Sequence, residues 1–153
     1  MMNPNNPVVQ LCVAGMQAES EGSYDAARHL FQQAWETAQD HFEQCIAAHY
    51  VARHQPTPQQ TLHWNEEALR HADAVTDGQV QGFYPSLYLN LGHCHEVLGD
   101  EREAQRFYDL AAAHASTLPD DRYGNIVRRG ANNGQNRLKM SNASSTRFTG
   151  VEE

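Results

Sequence analysis

One spacing pattern occurs twice in this chain and constrains its fold more than any other feature. Gly15, Ala27, Phe31 and Ala34 stand at the same mutual intervals as Gly92, Ala104, Tyr108 and Ala111. Each glycine lies in one stretch of helical periodicity, and each alanine–aromatic–alanine set lies in the next. Turn residues separate the two stretches, Gly22 in the first case and Gly99-Asp100 in the second. Tyr88, Leu91, Gly92 and His95 fall at i, i+3, i+4 and i+7, which is one face of a helix, and Ala104, Tyr108 and Ala111 stripe one face of its neighbour. Small residues at such a crossing let two antiparallel helices approach closely, while the aromatics and Leu91 fill the seam. A chain with this pattern is expected to fold as paired helices.

The run Tyr88-x2-Leu91-Gly92-x2-His95…Ala104-x3-Tyr108 resembles the tetratricopeptide repeat (TPR), a helix-turn-helix unit of about 34 residues. Tyr88 stands at the family's tryptophan, His95 at its tyrosine and Tyr108 at its phenylalanine. An earlier copy has Leu11, Ala14, Gly15 and Ala18, then Gly22-x-Tyr24-x2-Ala27-x3-Phe31-x2-Ala34, with Ser23 at the N-cap position. A divergent middle copy has Cys45, Ala48, His49 and Ala52, then Thr61, Asn65 and Ala68. It lacks the first-helix glycine and the second-helix aromatic, although Trp64 stands one residue from that slot. Its second helix has its own start signal in Thr57-Pro58-Gln59-Gln60: a cap, a proline at the first helical position and a glutamine at the third.

The resemblance implies an all-α, right-handed helical solenoid of three TPR helix-turn-helix pairs plus a C-terminal capping helix. Repeats are expected at about 8–41, 42–75 and 85–118, with the capping helix at 120–139. Pro4 and Pro7 predict a frayed start over 1–7. Extra residues within 75–85 carry Asp77-Gly78 and Gly82, which predict a loop or a one-turn extension of the preceding helix, before Pro85-Ser86 opens the next. In the last helix Tyr123, Ile126, Val127 and Leu138 are the apolar residues. Gly124, Gly130 and Gly134 cost it roughly 1 kcal/mol each against alanine, so it should be weakest after Gly130. Residues 140–153, rich in Ser, Thr and Asn, read as a disordered tail.

Composition restricts the setting. No apolar run approaches the ~20 residues of a membrane helix, and the first residues have neither a basic nor an apolar leader segment. Cys12, Cys45 and Cys94 are scattered within helical stretches and form no CxxC pair, which predicts buried reduced thiols in a cytoplasmic protein. The net charge of −8 is uneven. Residues 1–121 hold five Arg against seventeen Asp and Glu, whereas 122–153 hold five Arg and one Lys against two Glu.

Family members bind peptides or partner helices in a concave groove lined by the first helix of each repeat. Transferred to this chain, the groove positions are Val9, Cys12, Val13, Met16 and Glu19; then Glu43, Ile46, Tyr50, Arg53 and His54; then Ser86, Leu89, Asn90, His93 and Glu96. The capping helix adds Tyr123 and Val127. The polar centre, Tyr50, Arg53, His54, Asn90 and His93, is the candidate site for a protein or peptide partner. Arg53 offers a planar fork for a carboxylate, and Asn90 occupies a position where the family places an asparagine that holds ligand backbone. Basic residues of the family's carboxylate clamp are missing, since Cys12 and Ser86 stand where lysines would.

Neither catalysis nor a cofactor or metal is implied. No HExxH or His-x3-His spacing occurs, and the stripe His63, Glu67, His71 spreads over about 12 Å of helix, which predicts an exposed polar face. His49 and His95 occupy packing positions. Two other readings compete with a peptide-binding adaptor. Arg128-Arg129, Arg137 and Lys139 could contact nucleic-acid phosphates, although the acidic body would repel that polyanion; folding of this basic helix onto acidic surface of the chain itself or of a neighbour is preferred. Self-association through an exposed end of the stack is the other.

Overall fold

The computed structural model describes the backbone of residues 3–149 and side chains up to residue 143. Its helices are α1 (Pro7–Ser20), α2 (Tyr24–Thr37), α3 (His41–Val51), α4 (Pro58–Ala74), α5 (Tyr84–Val97), α6 (Glu101–Ala115) and α7 (Arg122–Thr149). Single 3-10 turns occupy Ala52–His54 and Gln81–Phe83, and no strand occurs among the described residues. The chain divides into two compact units, one up to Leu87 and one from Tyr88 onward, so the division falls inside α5.

In the first unit α1 packs on α2 and α3 on α4. The expected frayed start is instead a capped turn over the described residues 3–6. Asn6 Oδ1 accepts from the backbone N–H of Val8 at 2.8 Å and of Val9 at 3.2 Å, and Pro7 takes the first helical position. Proline fits there because its fixed φ suits a helix start and its missing N–H would have had no intrahelical partner. Asn6 Nδ2 also donates to Glu43 Oε1 at 2.9 Å, tying the start of α1 to α3. The α1–α2 turn passes through Gly22 at φ 76°, but Ser23 makes no side-chain capping bond. Thr57 does cap α4, its Oγ1 accepting from Gln60 N at 3.2 Å.

The glycine pattern has a direct steric cause. A Cβ built on Gly15 would lie 2.2 Å from Cε1 of Phe31, so only hydrogen fits between α1 and that ring. Ala27 and Ala34, one turn to either side of Phe31, are fully buried. Val9, Cys12, Ala34, Ile46 and Ala47 form one core cluster, and Cys45, Ala48, Ala68, Ala72, Val80 and Leu87 form another. Val80 belongs to the loop after α4. The helix stops at Ala74 without the extra turn, and this one buried valine anchors the loop that leads to α5.

In the second unit the same device is doubled. A Cβ on Gly92 of α5 would lie 2.7 Å from the Tyr108 ring of α6, and one on Gly134 of α7 would lie 2.5 Å from it. Tyr108 is fully buried and its hydroxyl donates to Glu96 Oε2. Tyr88 and His95 stack on Phe107, with ring centroids 6.1 and 5.5 Å away. α7 buries Val127, Ala131, Gly134 and Leu138, a stripe at helical spacing. It continues to Thr149, ten residues past the expected end at 139. Nothing between Arg122 and Thr149 stops a helix, as the segment holds no proline, and Ser141 Oγ donates to Glu101 Oε1 at the start of α6. The remainder of the expected tail, 150–153, lies outside the described residues.

Candidate functional site

Three of the five candidate residues come together in the first unit. Tyr50 lies in the last turn of α3, and Arg53 and His54 lie in the adjoining 3-10 turn. Glu19, near the end of α1, binds both of the latter. Its Oε2 is 2.7 Å from Arg53 Nη2 and its Oε1 is 2.7 Å from His54 Nε2. Glu19 and Arg53 stand about 34 residues apart in sequence, the interval of the helix-turn-helix unit that the sequence resembles. Glu19 is the residue that sequence reasoning left unpaired, and that separation was the available signal.

Aromatic rings form the floor beneath this cluster. Phe31 stacks on Tyr50 at 5.3 Å and lies parallel to the His54 imidazole at 6.0 Å. Tyr24 also meets His54, tilted, at 5.9 Å, and the Arg53 guanidinium stands 5.7 Å over the Tyr50 ring. Arg53 is therefore a fork already committed to one carboxylate of its own chain, although its side chain remains 47% exposed. Tyr24 is 56% exposed where it meets His54. Burial pushes the Tyr50 phenol up. His49, on the same helix, is pushed down to about 4 by burial and by the Arg53 charge, so it packs as a neutral ring.

Several of the transferred groove positions are core instead. Val9, Cys12 and Ile46 are buried between α1, α2 and α3 because those helices close on their apolar side chains. Burial also raises the thiols of Cys12 and Cys45 to about 12, which leaves them inert. Val13 is 54% exposed and Met16 is half-buried on the α1 face that leads to Glu19. Asn90 and His93 belong to α5 in the second unit, Asn90 half-buried and His93 exposed one turn before Glu96.

The stripe His63, Glu67, His71 is not an exposed face throughout. His71 is buried against Trp35 and His41, because aromatic side chains from α2 and α3 cover that end of α4. Among the described residues no three His, Cys, Asp or Glu side chains gather closely enough to hold a metal ion.

The basic end folds onto its own unit. Arg128 donates to the carbonyls of Ala115 at 2.9 Å, Leu118 at 3.0 Å and Pro119 at 3.0 Å, capping the end of α6 and the turn after it. Arg137 Nε lies 2.7 Å from Glu96 Oε1. That guanidinium and the Tyr108 hydroxyl hold the Glu96 carboxyl below the usual range. No described helix is long and apolar enough to cross a membrane. Comparison with protein-family models, curated proteins and solved structures found no match.

Proposed function

We propose that the chain is a TPR-like helical solenoid acting as a non-enzymatic scaffold or adaptor, and that the first unit receives a peptide or partner helix at Tyr50, Arg53 and His54. The supporting observation is the half-exposed Arg53 guanidinium over Tyr50, held by Glu19, with exposed Tyr24 against the neighbouring His54. Arginine and tyrosine are the side chains that most often carry binding energy at protein interfaces, and a guanidinium fixed by an internal carboxylate loses little freedom when it binds. The remaining N–H edge of Arg53 suits a partner carboxylate, with the tyrosine rings covering adjacent apolar groups.

The test compares proteins enriched from native lysate on wild type, Tyr50→Ala and Arg53→Ala, with Kd then measured for a peptide mapped from the enriched partner. Each substitution should weaken that peptide by about thirtyfold, the equivalent of losing ~2 kcal/mol, with helicity kept. Unchanged affinity in both variants would remove the site from the first unit. Asn90→Ala and His93→Ala serve as the corresponding arm for the second unit.

Self-association is the second reading, favoured by three exposed apolar side chains on α7: Tyr123, Ile126 and Met140. Light scattering separates it from a monomeric adaptor. The nucleic-acid reading has less support, because Arg128 and Arg137 are engaged in internal contacts.

A further inference from the structure

α7 lies in the furrow between α5 and α6 of the second unit. A Cβ on Gly130 would lie 2.9 Å from Leu89 Cδ2, Gly134 faces the Tyr108 ring, and Leu138 shares a core cluster with Ala104 and Tyr108. Polar ties run alongside. Gln135 Nε2 donates to Asp109 Oδ1 at 2.8 Å, and Ser141 Oγ donates to Glu101 Oε1 at 2.8 Å. Arg137 Nε and Nη2 donate to Glu96 Oε1 and Oε2 at 2.7 and 3.1 Å. Along α7 the partners advance on α5 from Leu89 to Glu96 and retreat on α6 from Asp109 to Glu101, so this helix touches both walls.

The fit is incomplete in charge. Three carboxylates, Glu96, Asp109 and Glu101, meet the described side chains of α7, which answer one of them with a cation. Asp109 and Glu101 are exposed and receive an amide and a hydroxyl, weaker partners for a carboxylate than an ammonium or a guanidinium. The hold also weakens along the helix. After Val127, Leu138 is the one large apolar side chain buried among those described, and Met140 is 73% exposed. Residues 130–136 hold two glycines and three asparagines, all poor helix formers. Few buried apolar contacts and solvent-exposed polar ties mark the segments of a fold that open without the rest unfolding.

We propose that the part of α7 after Gly130 is a displaceable strap, and that the α5–α6 furrow beneath it is a docking surface for a basic helix of a partner protein. The partner helix repeats the small residues of α7 opposite Leu89 and Tyr108 and its arginine opposite Glu96. It places lysine or arginine opposite Asp109 and Glu101. Each such cation adds a charge-assisted bond that α7 lacks, which gives the exchange its direction. The acidic excess over residues 1–121 draws a cationic ligand toward the chain. This surface belongs to the second unit and does not depend on the site proposed in the first.

The probe is a labelled peptide of residues 127–142, in its native form and with Gln135→Lys and Ser141→Lys. It is titrated with the intact chain and followed by anisotropy at about 0.15 M salt. The lysine peptide should bind at least about tenfold more tightly than the native one. Asp109→Asn with Glu101→Gln in the chain should remove that advantage. Leu138→Ala in the chain loosens the strap and should tighten binding by a further tenfold or so. If that variant does not fold, Arg137→Ala, which removes one surface tie, takes its place. Saturation with the lysine peptide should speed amide exchange over residues 137–143 of the chain, which attachment to any other acidic surface would not do. Binding matched by a scrambled peptide of the same composition, or unchanged exchange over 137–143, would overturn the proposal. So would a dimer in light scattering that exchanges α7, since the occupant would then be a second copy.

Discussion

A glycine-to-alanine change inside a helix ordinarily favours folding by about 1 kcal/mol. At Gly15 and Gly92 the opposite is expected, because the added carbon would lie 2.2 Å from Phe31 or 2.7 Å from Tyr108. Both rings are fully buried and cannot swing aside, so overpacking of about 1–3 kcal/mol outweighs the propensity gain. Gly15→Ala and Gly92→Ala should each lower the midpoint of urea unfolding, whereas Gly82→Ala, with nothing within 4 Å of its Cβ, should hold or raise it. Equal midpoints in all three would show that the helices do not depend on this close approach. These contacts were legible in the sequence because ring and glycine recur at one fixed interval. The Glu19 pairing and the burial of His71 were not, since each depends on which side chain of a neighbouring helix arrives opposite. Polarity alone placed His71 outside, yet Trp35 and His41 enclose it.

Among the elements, α7 departs furthest from expectation. Its three glycines read as weak points, yet each has a close neighbour: the Pro119 carbonyl at Gly124, Leu89 at Gly130 and Tyr108 at Gly134. A residue type that costs helix propensity thus provides, in the fold, space for neighbours. Its basic residues are expected to fold against acidic surface, and Arg137 does meet Glu96, but Arg128 binds three carbonyls at the end of α6 and in the turn after it. Removing such a donor strands acceptors, at about 1–3 kcal/mol where they stay buried. Arg128→Ala should therefore speed amide hydrogen exchange in the first turns of α7 and the last of α6. Arg129→Ala, an exposed neighbour, should not. Exchange that is equal in the two variants would reduce Arg128 to an ordinary surface charge. The helix ends were the least legible part, because a capped proline start and a polar helix with no stop signal both resemble unstructured chain in composition.

For the whole molecule, the helix pairs were legible from period and small-residue spacing, whereas the division at Leu87 was not. It falls inside the continuous helix α5, with no linker composition to mark it. Charge is the other property of the whole chain, and it decides between two of the proposed roles. Five Arg against seventeen Asp and Glu over residues 1–121 give a field of −12, and the excess of +4 beyond them is smaller and partly used internally. Arg128 and Arg137 have carbonyl and carboxylate partners, leaving Arg122, Arg129 and Lys139 exposed among the described side chains. Each phosphate contact is driven by release of a counterion, so affinity for a polyanion rises with the number of available cations and falls steeply with salt. Three exposed cations on a chain of net −8 amount to a weak site in a repelling field. Labelled single-stranded RNA should thus show no anisotropy change with this protein at about 0.15 M salt, where charges separated by more than ~8 Å are screened. A salt-sensitive change that Arg129→Ala with Lys139→Ala removes would reverse the preference and make α7 a nucleic-acid surface. That pair is the appropriate test because neither residue caps a helix end, so loss of binding could not be mistaken for loss of fold.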